Sequence, residues 1–85
     1  MSYNIIIERR AQRVLSKIAQ PYRDRIISAI RRLSENPRPP GGKKLSGRDG
    51  WRIRVGSYRV LYEIQDDKLV VLVVLVGHRR DVYSR

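Results

Sequence analysis

Proline and glycine crowd into one stretch of this chain, and that crowding divides it. Residues 36–50, Asn-Pro-Arg-Pro-Pro-Gly-Gly-Lys-Lys-Leu-Ser-Gly-Arg-Asp-Gly, hold three of the four prolines and four of the six glycines. Proline removes backbone donors and glycine raises the entropy cost of regular structure, so this segment is predicted as a loop. Leu45 is its only large apolar residue and the one expected to pin it to a core. Before the loop, apolar residues recur with a helical period; after it they alternate as in strands.

The first segment, Tyr3 to Ile7, is short and β-branched and reads as a strand. From Arg9 the period changes: Ala11, Val14, Leu15, Ile18 and Ala19 form one helical stripe. Gln20-Pro21 breaks the run, and proline suits the start of a new helix. Tyr22, Ile26, Ala29, Ile30 and Leu33 form a second stripe, giving a helical hairpin. Beyond the loop, Trp51 to Val55 alternates apolar residues with Arg52 and Arg54. Gly56-Ser57 is a two-residue turn of the kind that suits a tight hairpin, and Tyr58 to Ile64 resumes the alternation. After Gln65-Asp66-Asp67, the apolar run Leu69 to Val76 reads as a strand buried on both faces, with Leu72 in the core. Gly77 onward is a polar tail. The expected architecture is a small α+β domain over residues 1–85, in the order β-α-α-β-β-β. Its two-helix hairpin packs on one face of a mainly antiparallel sheet, with the first strand added beside the meander.

A chain of 85 residues buries a limited core, so the working surface is expected to be shallow. Cysteine is absent and there is one histidine, which excludes a disulfide scaffold and thiol catalysis and argues against zinc. The longest apolar run is far short of a membrane span, and no signal peptide fits Met1 to Arg10, so a cytoplasmic protein is expected. The dominant compositional signal is a formal net charge of +11. It predicts a polyanionic partner, and the excess of arginine over lysine leans toward nucleic acid, because guanidinium grips phosphate bidentately and stacks on bases. By segment, residues 1–36 carry eight basic and three acidic groups (+5), residues 37–60 seven and one (+6), residues 61–85 four and four (0).

Helix arginines such as Arg9, Arg10, Arg13, Arg31 and Arg32 read first as a solvated face. The hairpin is more specific: Arg52 and Arg54 share one strand face, and pairing across Gly56-Ser57 brings Arg59 beside them. Cations grouped on one sheet face repel one another, and an external phosphate relieves that repulsion. Lys43, Lys44 and Arg48 of the loop and His78 of the tail complete the candidate RNA-binding set.

Chemistry is narrowed by what is missing. Gly41-Gly42-Lys43-Lys44 lacks the spacing and strand–loop–helix setting of a phosphate-cradling loop. There is no pair of histidines and no carboxylate cluster suited to divalent ions. Phosphodiester cleavage by such a chain would use the RNA's own 2′-hydroxyl, with arginines stabilising the transition-state charge. A tyrosine or histidine would aid proton transfer. In the tail, Arg79 reads as a phosphate ligand or a surface cation. Tyr83 is either packed on the sheet or stacked on a base.

The element order, the segment Lys44-Leu45-Ser46-Gly47, the hairpin Trp51 to Tyr62 and the tail Gly77-His78-Arg79-Arg80-Asp81-Val82-Tyr83 resemble the RelE toxins of prokaryotic toxin–antitoxin pairs. The resemblance spans essentially the whole chain. Its most specific parts are Tyr58-Arg59-Val60-Leu61-Tyr62 and the tail. It implies a ribosome-dependent endoribonuclease that cuts messenger RNA in the decoding site without metal or cofactor, by 2′-hydroxyl attack. By motif position, Arg59 and Arg79 would hold the scissile phosphate and Tyr83 would stack on or orient the attacked nucleotide. Arg52 and Arg54 stand where well-studied members carry lysines. Arginine stays charged, so their role would be electrostatic, and proton transfer would fall to Tyr83, His78 or the ribosome. The implied partners are a cognate antitoxin and the ribosome with its message, with operator DNA bound only through the antitoxin complex. Two rival readings are a ParE-like inhibitor of DNA gyrase and an RNA- or ribosome-binding module that does not cut.

Overall fold

A computed structural model of the chain describes residues 2–46 and 49–78. Its elements are β1 (Asn4–Ile7), α1 (Arg9–Lys17), α2 (Tyr22–Arg32), β2 (Lys43–Lys44), β3 (Trp51–Val55), β4 (Tyr58–Gln65) and β5 (Val70–His78). The five strands form one sheet in the order β1-β5-β4-β3-β2. Only the β1–β5 pairing is parallel; the others are antiparallel. This is the expected α+β architecture with one strand more.

Each helix carries its own start and stop. α1 begins after an extended Glu8 and ends with Lys17 in its last turn. α2 has Asp24 in its first turn and Arg31 and Arg32 in its last, charges that complement the helix dipole. Gln20 and Asp24 close the α2 start reciprocally: the Asp24 amide donates to Gln20 Oε1 at 3.1 Å and Gln20 Nε2 to Asp24 Oδ1 at 3.0 Å. The buried stripe is Ala11, Leu15 and Ile18, then Ile26, Ile30 and Leu33. These residues meet Ile53, Val60, Tyr62, Val71, Val73 and Val76 of the sheet. Two members of the expected stripes stay outside the core. Ala19 lies beyond the end of α1 and is exposed, and Tyr22 is 44% exposed.

The β3–β4 hairpin closes as expected, with Val55 opposite Tyr58 and Gly56 at a φ of 61° in the turn between them. Three expectations are corrected. Lys43–Lys44 is a short strand rather than loop, paired to Arg52 and Trp51, with the Leu45 amide donating to the Gly50 carbonyl at 2.8 Å. Second, β5 is not buried on both faces. Val71, Val73 and Val76 are buried, whereas Val70, Leu72, Val74 and Leu75 are half-buried, because both helices lie on the other side. Leu72 therefore belongs to the open face and not to the core. Third, the strand runs from Val70 to His78, so Gly77 and His78 are sheet residues, while Leu69 sits in a turn at a φ of 53°. Between Leu61 and Tyr62 the register to β5 slips, with Leu61 opposite Leu75 and Tyr62 opposite Val73, so Val74 is extra. That bulge lets Tyr62 and Val73 both face the helices.

Loop residues 36–42 are held at several points, while Leu45 lies beside Gly50, outside the core cluster. Pro37 is buried, and its carbonyl accepts a 2.7 Å hydrogen bond from the buried Tyr62 hydroxyl. Arg38 grips both oxygens of Asp66, Nη2 to Oδ2 at 2.9 Å and Nη1 to Oδ1 at 3.3 Å. Its guanidinium lies 5.5 Å from the Trp51 ring centroid, and the Tyr3 hydroxyl donates to Asp66 Oδ1 at 2.6 Å.

Candidate nucleic-acid interface

Residues directly opposite in a sheet ladder share a face, so the register fixes where each cation points. Arg54 lies opposite Arg59, Arg52 opposite Leu61, and Lys43 opposite Arg52. Lys43, Arg52, Arg54 and Arg59 therefore occupy the open face, away from the helices. Arg59 is 4% exposed, an unusual depth for a charged side chain. Its other neighbour across the ladder is Gly77, which has no side chain to compete for the space. Lys43, Arg52 and Arg54, with Pro40 and Gly41, surround an open hollow of about 310 Å³. Its wall is the clamped loop, which reaches β2 through Gly41 at a φ of 88°, a conformation that favours glycine.

The hollow suits a phosphate: three cations converge from two adjacent strands and no carboxylate among the described residues lines it. The hairpin arginines are thus brought together as their alternation predicts. Lys43 joins them because β2 pairs with β3, a feature the loop-like composition hides. Lys44 lies opposite Trp51 and so on the other face. His78 lies opposite Tyr58, and their rings meet edge to face at 5.8 Å between centroids. It belongs to the helix side of the sheet, and the register does not bring it to the arginine face. Arg48, Arg79 and Tyr83 lie outside the described residues.

Tyr62 ends the Tyr-Arg-Val-Leu-Tyr segment, but its hydroxyl serves the loop. Burial pushes its pKa up to about 12, and it donates to Pro37. It is a structural anchor and not a proton carrier at neutral pH. Asp66 is held below the usual carboxylate range, first by the Arg38 hydrogen bonds and then by that from Tyr3. Among the described residues no three His, Cys, Asp or Glu side chains gather as a metal site would require. No described helix is long and apolar enough to cross a membrane.

The clamp and the β2 pairing are the parts of this site that sequence reasoning missed. Asp66-Asp67 reads as a generic polar turn, and Arg38 as one cation among many. The signal available was an arginine between prolines, whose backbone the following proline biases toward extended conformations.

Comparison with known proteins agrees with this architecture. The family model described as the ParE toxin of the type II toxin–antitoxin system parDE matches residues 5–83. The mRNA interferase toxin RelE of Escherichia coli is 31% identical over 99% of this chain and 93% of its own length. Toxin RelG of Mycobacterium tuberculosis is 32% identical with both chains fully covered. Among solved structures, the toxin of the intact E. coli RelBE toxin–antitoxin complex superposes with a TM-score of 0.80 at 30% identity, covering 91% of this chain and 96% of that one.

Proposed function

The chain belongs to the RelE/ParE superfamily of toxins from type II toxin–antitoxin pairs, and from that premise we propose that it is a ribosome-dependent endoribonuclease. It cuts messenger RNA in the decoding site and so arrests translation. One observation carries the reading: a hollow ringed by Lys43, Arg52 and Arg54, with Arg59 opposite Arg54 on the same face and no carboxylate lining it among the described residues. The single domain of residues 1–85 holds the activity and uses neither metal nor cofactor.

In this mechanism the 2′-oxygen of a nucleotide attacks the adjacent phosphorus. The bond from phosphorus to the 5′-oxygen of the next nucleotide breaks, and the products are a 2′,3′-cyclic phosphate and a 5′-hydroxyl. The proton leaving the 2′-hydroxyl is balanced by one delivered to the 5′-oxygen. Negative charge grows on the phosphoryl oxygens as the new bond forms, and Arg59 with Arg79 stabilises it. Arg52, Arg54 and Lys43 hold the flanking phosphates. Tyr83 stacks on the attacked nucleotide and orients its 2′-oxygen. With His78 on the far face of the sheet, proton transfer falls to Tyr83 or to a ribosomal group. A cognate antitoxin covers the basic face and blocks entry.

Primer extension on a defined message, in purified translation reactions with and without ribosomes, tests the proposal. Cuts at decoding-site codons only when ribosomes are present are expected, and Arg59→Ala, Arg79→Ala and Tyr83→Ala should each reduce them by two or more orders of magnitude. Intact message with unimpaired synthesis would refute nuclease activity. That result would favour the rival reading of a ParE-like gyrase inhibitor; ParE is the toxin that the matched family model names. Stalled synthesis on intact message would identify a non-cutting ribosome binder.

A further inference from the structure

The helix side of the sheet carries a feature that cleavage chemistry does not use. Tyr22 opens α2 and is one of two large apolar side chains left exposed among the described residues. Its ring centroid lies 6.1 Å from that of Tyr58, tilted by 47°, and Tyr58 in turn meets His78 edge-on at 5.8 Å. Three elements, α2, β4 and β5, thus align three rings at the hairpin end of the sheet. The outer two, Tyr22 and His78, are exposed. Tyr22 also lies along the hairpin turn, with its Cε1 3.9 Å from where a Cβ on Gly56 would sit.

Cations continue the row. The Arg25 guanidinium is 5.7 Å from the Tyr22 centroid. Arg25 also lines an open groove of about 550 Å³ between α2 and β3, together with Arg32 and Arg54. Among the described residues Asp24 is the one carboxylate lining that groove, and it accepts the hydrogen bond from Gln20. Arg54 lines both this groove and the hollow beside Lys43 and Arg52. Among the described residues β2 pairs with Trp51 and Arg52 and stops short of the Arg54 end of the β3 edge. Shared residues therefore link the aromatic row, the groove and the hollow into one path over the sheet edge.

We propose that this path is a second contact for single-stranded RNA, with an unpaired base stacked on Tyr22 in the aromatic row and backbone phosphates lying along Arg25, Arg32 and Arg54. Exposed rings beside spaced cations are how proteins hold single strands irrespective of sequence, since every base offers a π-face and every linkage a phosphate. A groove lined by Arg25, Arg32 and Arg54, with the Asp24 carboxylate engaged by Gln20, favours a polyanion over a peptide. The identity of the polymer rests on the RNA reading above, whereas the stacking site does not depend on cleavage.

The test uses the full chain and two fluorescent ten-nucleotide probes: a 2′-O-methyl oligoadenylate, which cannot be cleaved by 2′-hydroxyl attack, and an abasic strand of equal length. Anisotropy titrations should give a preference of roughly tenfold for the base-bearing strand. Tyr22→Ala should remove most of that preference and leave abasic binding unchanged, while Tyr22→Phe keeps it. Tyr22 is 44% exposed and lies outside the buried core, so the alanine variant should melt only slightly below wild type and stay folded under the conditions of the titration. Tyr83→Ala, measured in parallel, separates any stacking by the tail. Equal binding of the two strands by wild type overturns the proposal. So does a preference that survives Tyr22→Ala and is lost only in Tyr83→Ala. Loss of ribosomal cleavage with the base preference intact would remove the nuclease reading and leave the stacking site standing. Cleavage without base preference would do the reverse.

Discussion

Asp66 illustrates how one side chain far from the cations shapes the surface they form. It sits in the β4–β5 turn, holds Arg38 through two hydrogen bonds and receives a third from Tyr3. Arg38 anchors the start of the loop whose later residues, Pro40 and Gly41, wall the basic hollow. The ion pair is exposed, with side-chain accessibilities of 45% and 56%, so its direct contribution to stability is small. Its pH dependence has a definite sign. The folded pKa of Asp66 is depressed by Arg38 and Tyr3, so the clamp contributes fully above the unfolded carboxylate pKa of roughly 4 and is lost as pH falls through the lower folded value. Asp66→Asn should therefore melt slightly below wild type at neutral pH, with the gap closing as pH falls below the unfolded carboxylate range. Parallel thermal melts across that range check it. A constant gap would mean that packing, and not charge, is what the carboxylate supplies.

The elements divide into those the amino-acid pattern makes readable and those it hides. Both helices are readable because Ala11, Leu15 and Ile18, then Ile26, Ile30 and Leu33, repeat at helical spacing between polar residues. The β3–β4 hairpin is readable because arginine alternates with apolar residues on either side of Gly56-Ser57, and that same alternation places Arg52, Arg54 and Arg59 on one face. β2 is hidden: two lysines in a proline- and glycine-rich stretch become a strand only because β3 offers them a ladder edge. The burial of β5 is hidden as well, since a run apolar at every position carries no period to mark its covered face or its bulge. His78 is hidden for a related reason: a polar residue after an apolar run looks like the start of a tail, yet pairing with Tyr58 makes it the last residue of β5. One consequence is measurable. Ile26 is fully buried whereas Leu72 is half-buried on the open face. Ile26→Ala should cost about 2–5 kcal/mol, and Leu72→Ala about 1 kcal/mol, in keeping with its partial burial. Urea denaturation of the two variants compares them directly, and equal costs would require the open face of β5 to be as well covered as the core.

At the scale of the whole molecule, a net charge of +11 could act in two ways. A diffuse positive field speeds encounter with any polyanion, whereas cations gathered at a site neutralise particular phosphates and release their counterions. The arrangement of residues favours the second at the arginine face. Lys43 and Arg52 are neighbours across one ladder rung and line one hollow, while Arg9 and Arg13 project as exposed cations from α1. The two mechanisms separate when equal charge is removed from the two places. For a single strand, each phosphate neutralised contributes about 0.7 to the slope of log affinity against log salt concentration. The double variant Lys43→Gln, Arg52→Gln should lower the magnitude of that slope by about 1.4 if each cation pairs with one phosphate. Arg9→Gln, Arg13→Gln, which makes the same change in net charge, should leave the slope nearly as it was and mainly slow association. Titrations of the uncleavable oligoadenylate at several salt concentrations supply both slopes. Equal reductions in the two variants would mean that the chain attracts RNA through its overall field, and the hollow would then hold no phosphate of its own.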